Sequence, residues 1–312
     1  MRKRFFSSFF CAGVLVFSLP ACGSDDPSNV DSGPSATSVA AFPLTIDSPG
    51  GPITLDEQPT SIVSLSPTAT EMLFAIGAGD QVEAVDDQSD FPAGVPTTDL
   101  SGFDPNVEAI VSYAPDLVVL ASDIGGVVKG LGKLDVPVLM QPAAATIDDT
   151  YAQIEQLGAA TGHSEKAIAV VAQMRSDVEE IVASAPDGEG VAVYHELDDT
   201  YYSVTSDTFI GQVYSMFGVE NIADEAKGAG SGYPQLSSEY IVDRDPSLIV
   251  LADGECCGQS AATVADRPGW GELTAVTAGS VIEIDDDVAS RWGPRVVEFM
   301  RAVAEGLQGS AA

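Results

Sequence analysis

Basic side chains are scarce in this chain, with 13 Lys and Arg against 47 Asp and Glu and a formal charge of -34. A surface so acidic repels nucleic acid, whose binding depends on Lys and Arg neutralising phosphates. The excess acid reads as a solubilising coat, suited to salt, in preference to a specific cation site. Histidine is rarer still: only His163 and His195 occur. Two such residues far apart in sequence exclude a His-rich site for bare Zn or Mn. A Ser/His/Asp triad would have to use one of them without any local signature. His195 is followed by Glu196, but neither HExxH nor GxSxG occurs, and no GxxxxGK phosphate loop is present. The chain therefore reads as a non-enzyme. Cysteine is limited to Cys11, Cys22, Cys256 and Cys257. The last two are neighbours with no further Cys or His nearby, which rules out a zinc site and leaves a vicinal disulfide, an intermolecular bond or two free thiols. Beyond the first 20 residues no apolar run approaches the roughly 18 residues that a membrane span requires.

The one long apolar run, residues 5–18, follows Arg2, Lys3 and Arg4 and ends in Leu19-Pro20-Ala21-Cys22. A basic stretch, an apolar stretch and a small residue before the cut make an export signal over residues 1–21. The LPAC ending resembles a bacterial lipobox, which implies cleavage before Cys22 and lipidation of its thiol; an ordinary signal peptide is the alternative. Residues 22–43, largely Ser, Asp, Pro, Gly and Thr, have little to bury and form a flexible tether.

Two stretches 131 residues apart nearly coincide: NVEAIVSYAPDLVVLAS (106–122) and SSEYIVDRDPSLIVLAD (237–253) match at 8 of 17 positions. Each begins with a short helical segment bearing an early Glu (Glu108, Glu239), passes a Pro and enters a buried apolar strand. The spacing is too long for a solenoid repeat and fits one copy per lobe of a two-lobed protein. Strand, helix and strand alternate at short intervals on both sides, which predicts parallel α/β lobes over 44–163 and 186–312. Expected strands include 61–65, 81–85, 117–121, 137–140, 191–195, 201–204, 248–252 and 281–284. Residues 86–103 read as a polar loop. Between the lobes, residues 164–185 place Ile168, Val171, Met174, Val178, Ile181 and Ala185 on one helical face. At 1.5 Å per residue this helix spans about 33 Å, long enough to brace both lobes and, lacking Pro, stiff enough to keep closure small.

Five segments resemble one known family: SIVSLSPTATEMLFAIG (61–77), QSDFP (88–92), NVEAIVSYAPDLVV (106–119), YPQLSSEYIV (233–242) and WGPRVVEFMRAVA (292–304). They are similar to the substrate-binding proteins of ABC importers for ferric siderophores, haem and cobalamin, the cobalamin-binding members especially. The resemblance covers about residues 60–307. It implies an α/β fold of two Rossmann-like lobes joined by one long backbone helix, the class III periplasmic binding protein. It further implies a monomer, anchored to a membrane by its lipid, that hands a metal chelate or corrinoid to an ABC permease. The ferric siderophore, cobalamin or haem is cargo, so no cofactor is expected.

By the same resemblance Glu108 and Glu239 meet Arg residues of the permease, a task suited to exposed carboxylates that accept bidentate guanidinium contacts. The local reading of each is an acid favoured at a helix N-terminus. Ligand contacts carried over are Asp90 and Phe91 beside Ser89, then Phe103, Tyr233, Asp287, Arg291 and Trp292. Aromatic rings offer broad contact to a flat ligand, although core packing is the ordinary use of any one of them. Tyr233 stands where the cobalamin binder has Trp, and Gly102 and Ala121 stand at other Trp positions. Of Tyr201 and Tyr202 at most one faces the cleft, since alternate strand residues point oppositely. Arg291 pairs either with an anionic chelate or with a surface acid. Glu71 closes a Thr68-to-Glu71 capping box. The competing function is a lipid-anchored adhesion or scaffold protein on the same fold.

Overall fold

The structure, a computed structural model, describes residues 42–310. The expected leader, Cys22 and the tether up to residue 41 lie outside the described residues. A two-stranded antiparallel hairpin, β1 (Leu44–Ile46) and β2 (Ile53–Leu55), comes first. The N-terminal lobe then runs β3 (Ile62–Leu65), α1 (Pro67–Ala75), β4 (Val82–Asp86), β5 (Thr97–Leu100), α2 (Val107–Val111), β6 (Leu117–Leu120), α3 (Val127–Gly132), β7 (Val138–Met140) and α4 (Ile147–Thr161). All four residues of β3 and of β6 are buried, as befits central strands covered on both faces. The five strands are parallel in the order β5-β4-β3-β6-β7.

After α5 (Ser164–Ser184) the C-terminal lobe repeats the plan: β8 (Ala192–Glu196), α6 (Phe209–Ser215), β9 (Glu220–Asn221), α7 (Ser238–Arg244) and β10 (Leu248–Leu251). Four short helices follow around the last strand: α8 (Gly254–Cys257), α9 (Ala261–Ala265), α10 (Thr274–Ala278), β11 (Val281–Glu283) and α11 (Asp286–Ser290), before the closing α12 (Val296–Ser310). Its parallel sheet has the order β11-β10-β8-β9. Read from the other edge this is β9-β8-β10-β11, which matches β4-β3-β6-β7 in order. The duplicated sequences are thus α2 with β6 and α7 with β10, at the same place in each sheet.

The brace is α5, which packs against both α4 and α12. Its buried stripe is Ala167, Val171, Met174, Val178 and Ile181. Ile168, expected on that face, is 46% exposed. The reason is the close crossing with α4: a Cβ added to Gly158 would lie 2.3 Å from the Ala167 Cβ, so only a small residue fits there. Burying each of the larger side chains contributes about 1.5–3 kcal/mol, which ties both lobes to one rod.

Three other expectations change. The polar loop 86–103 contains the edge strand β5, whose sequence TTDL buries only Leu100. Residues 201–204 form no strand, only an isolated antiparallel bridge between Tyr202 and Gln235. The N-cap of α1 is Ser66, whose side chain accepts from the Ala69 N–H, with Pro67 at the first helical position. Glu71 therefore lies a full turn inside the helix and forms no capping box. Cys256 and Cys257 are joined as a vicinal disulfide, with Cα atoms 3.8 Å apart.

Candidate functional site

Parallel strands all end on one side of a sheet, and ligands of such folds settle outside those ends. In the N-terminal lobe the ends of β3, β4 and β6 place Ser66, Asp86 and Ala121 around a cavity of about 370 Å³, with Gly102 from the loop after β5. The opposite wall comes from the other lobe: Asp287, Ser290, Arg291 and Trp292 on and after α11. The cavity is thus an interlobe cleft. Its floor is tight at Gly102, where an added Cβ would come within 2.7 Å of the Leu65 carbonyl oxygen and 2.9 Å of Asp86 Oδ2.

Asp86 is the buried acid of this floor, 1% exposed. Burial raises its carboxyl above the usual range, while a hydrogen bond donated by Ser89 Oγ at 2.6 Å pulls the other way. Asp287 is likewise raised, first by burial, against the opposing pull of Arg291.

The two arginines beside the cleft are engaged with acids. Arg291, 8% exposed, donates from NH1 to Glu71 Oε1 at 2.9 Å and Asp90 Oδ1 at 3.2 Å, and from NH2 to the Gln88 carbonyl at 3.0 Å. Its NH2 also lies 2.6 Å from Asp287 Oδ2. Arg295, one turn further, grips Glu71 through Nε to Oε2 at 3.0 Å and NH2 to Oε1 at 2.6 Å. Glu71, Gln88 and Asp90 belong to the N-terminal lobe, so this network is a buried clasp between lobes. Arg291 is neither a surface ion pair nor a free cation. Trp292 strengthens the tie: its Nε1 donates to Gln153 Oε1 and its carbonyl accepts from Thr150 Oγ1, both at 3.0 Å on α4.

Of the other expected contacts, Phe103 lines the cavity and is 77% exposed. Asp90 sits behind it as a partner of Arg291, and Phe91 lies under the Arg295 guanidinium, 4.3 Å from ring centroid to Cζ. Tyr233 is exposed on the C-terminal lobe, outside the cavity lining. Tyr201 stacks on Trp270 in the core, centroids 5.7 Å apart, leaving Tyr202 as the exposed member of that pair. Of the large apolar side chains that stay exposed, Phe91, Phe103, Ile124, Tyr202 and Tyr233 all follow the ends of strands, and only Leu134 and Ile168 lie elsewhere. Of these, Phe103 lines the cavity. The place of Ser66 and Asp86 in the cavity lining and the ion pairing of Glu71 escaped the sequence reading. A lone acid beside Met72 and Leu73, with Arg291 and Arg295 four apart, was the available signal, since an acid in an apolar stretch needs a partner.

Glu108 and Glu239 are exposed, each the second residue of its helix, behind the caps Asn106 and Ser237. A helix that returns antiparallel to the strands starts at their C-terminal ends, so both acids stand on the cleft side. No ion pair engages either among the described residues.

Two α/β lobes, one bracing helix and a cleft at the strand ends define a class III binding protein. The chain belongs to the periplasmic binding protein family, whose model matches residues 62–288. It is 30% identical to an uncharacterised ABC transporter substrate-binding lipoprotein of Bacillus subtilis, over 98% of both chains. It is 31% identical to a cobalamin-binding protein of Halobacterium salinarum, covering 98% of this chain and 85% of that one. Among solved structures, a possible iron-binding periplasmic solute-binding protein of Staphylococcus epidermidis is 25% identical, with a TM-score of 0.68 over 80% of this chain and 99% of that one. The chain is accordingly a substrate-binding component of ABC import acting outside the cytoplasm, and not an enzyme. No helix among the described residues is long and apolar enough to cross a membrane.

Proposed function

We propose that the protein captures an uncharged, amide-rich corrinoid of the cobalamin type in the interlobe cleft and presents it to an ABC permease through Glu108 and Glu239. The observation that carries the choice of cargo is the charge of the cleft. Asp86 and Asp287 face it, while Arg291 and Arg295 are held by Glu71. Amide side chains donate to such acceptors, and the aromatic Phe103 and Trp292 of the lining suit a flat ring. A trianionic ferric catecholate meets like charge there, as do the propionates of haem. The relative in Halobacterium salinarum, named for cobalamin, supports the same cargo. An uncharged ferric hydroxamate is the second reading, because it satisfies the same charge argument.

Calorimetric titration of the protein with cyanocobalamin, a ferric tris-hydroxamate and a ferric tris-catecholate tests the proposal. Tightest binding of cyanocobalamin is expected; preference for the catecholate overturns it. We further propose anchoring through a lipid on Cys22, so that Cys22→Ala sheds the protein into the medium. Persistent membrane association of that variant rejects the anchor.

A further inference from the structure

We infer that Glu71 is a specificity-determining residue: by neutralising Arg291 and Arg295 from beneath the cleft wall, it sets the preference for uncharged over anionic cargo. The inference rests on the corrinoid reading of the cleft and adds the residue that enforces it.

Glu71 is not itself part of the cavity lining. It is 3% exposed and both of its oxygens are taken, Oε1 by Arg291 and Arg295 and Oε2 by Arg295. Arg291, in contrast, lines the cavity. Its remaining partners are Asp90, Asp287 and the Gln88 carbonyl, and no other cation contacts this group of acids in the described structure. Two guanidiniums thus converge on a single buried carboxylate. Removing that carboxylate's charge leaves Arg295 without its ion-pair partner and makes the wall one unit less negative, in a region of low dielectric where Coulomb interactions are weakly screened. The cleft then repels an anion less. Within about 10 Å and an effective dielectric of about 20, one unit of wall charge alters affinity by about tenfold for each unit of ligand charge, and by nothing for an uncharged ligand.

The closing experiment measures affinities of the full chain for three probes: cyanocobalamin and a ferric tris-hydroxamate, both uncharged, and a ferric tris-catecholate of charge three minus. Glu71→Gln keeps the side chain's shape and should strengthen catecholate binding relative to both uncharged probes by at least about tenfold, with an affinity for the catecholate that newly weakens as salt rises. Arg295→Gln should move the ratio the opposite way, and Glu71→Gln with Arg295→Gln should bring it back toward the wild-type value. Arg295→Gln reads the same charge term from the other side, so the inference stays testable if Glu71→Gln folds poorly. A purely structural role predicts equal losses for all three probes and no change in salt dependence, and that result overturns the inference. If the wild-type chain binds none of the probes, the corrinoid reading falls and takes this inference with it. If the wild type binds cyanocobalamin and the ratio ignores residues 71 and 295, only the inference falls.

Discussion

Both lobes share a strand order, yet they finish their strands differently. In the N-terminal lobe β3, β4 and β6 end on Ser66, Asp86 and Ala121 and open into the cleft. In the C-terminal lobe the equivalent strand β8 ends on Glu196 and β10 is followed two residues on by Asp253, both with no exposed surface. Arg267 covers this end, donating to Glu196 at 2.6 and 2.5 Å and to Gln259 Oε1 at 2.7 Å, while the Tyr194 hydroxyl donates to Glu196 at 2.9 Å. Asp253 is pushed up to about 8, first by burial and then by the Glu196 carboxylate beside it. One lobe supplies a floor; the other is plugged and sends across only the arm from α11 to Arg295. The two lobes thus share the exposed acids at the α2 and α7 helix starts and differ at the strand ends.

The strongest way to break this comparison is to remove what the lobes share. Glu108→Ala combined with Glu239→Ala should abolish uptake by cells, a loss of about 100-fold or more if each carboxylate meets a guanidinium at the permease. Affinity for cargo should stay at the wild-type value. Loss of affinity, measured on the purified double variant, would move these acids from docking into the pocket.

The shared parts were also the legible ones. The two 17-residue copies carry their apolar strands and leading acids locally, so neighbouring residues suffice to place α2, β6, α7 and β10. The stripe on α5 was readable for the same reason, apart from Ile168, whose displacement depends on Gly158 of another helix. β5 was hidden because an edge strand can be polar. The clasp was hidden because it joins Glu71 to Arg291 across 220 positions, a separation at which local pattern carries no pairing information. The short helices α8 to α11 have too few residues to show a period.

The plugged end can be opened in turn. Arg267→Met removes the only cation touching Glu196 in the described structure and leaves two adjacent buried carboxyls. Breaking one side of such a pair costs about 3–5 kcal/mol, readable as a lower urea midpoint. Cargo affinity should change little, since Arg267 does not reach the cleft lining. A variant as stable as the wild type would show that this lobe end is not held by charge.

A smaller effect separates two buried groups, His195 on β8 and Asp253 two residues beyond β10. Between pH 3.8 and about 8 the folded state keeps the Asp253 proton while the unfolded chain releases it, so stability from this group falls as pH rises. His195, held at about 3 by burial, does the reverse: between pH 6.5 and 3 the unfolded chain binds the proton, and stability falls as pH falls. Asp253→Asn should flatten the decline below about pH 8, an effect on the order of 1–2 kcal/mol after allowance for coupling to Glu196. Denaturant midpoints from pH 5 to 9 measure it; an unchanged slope would place the neutral-range titration elsewhere.

The smallest expected effect concerns how the unlike lobes move together. α5 contains no Pro, and its stripe is packed against helices of both lobes. A rod of this kind bends only with a Pro or a bulge. The clasp adds charge-assisted bonds on the cleft side, so opening there would strip Arg291 and Arg295 of buried partners. Small-angle scattering of the free and cyanocobalamin-loaded protein should therefore differ by no more than about 1 Å in radius of gyration, the signature of a rotation of a few degrees. A contraction well beyond that would mean that the clasp forms only around cargo, and that the free lobes swing on α5 in spite of its packing.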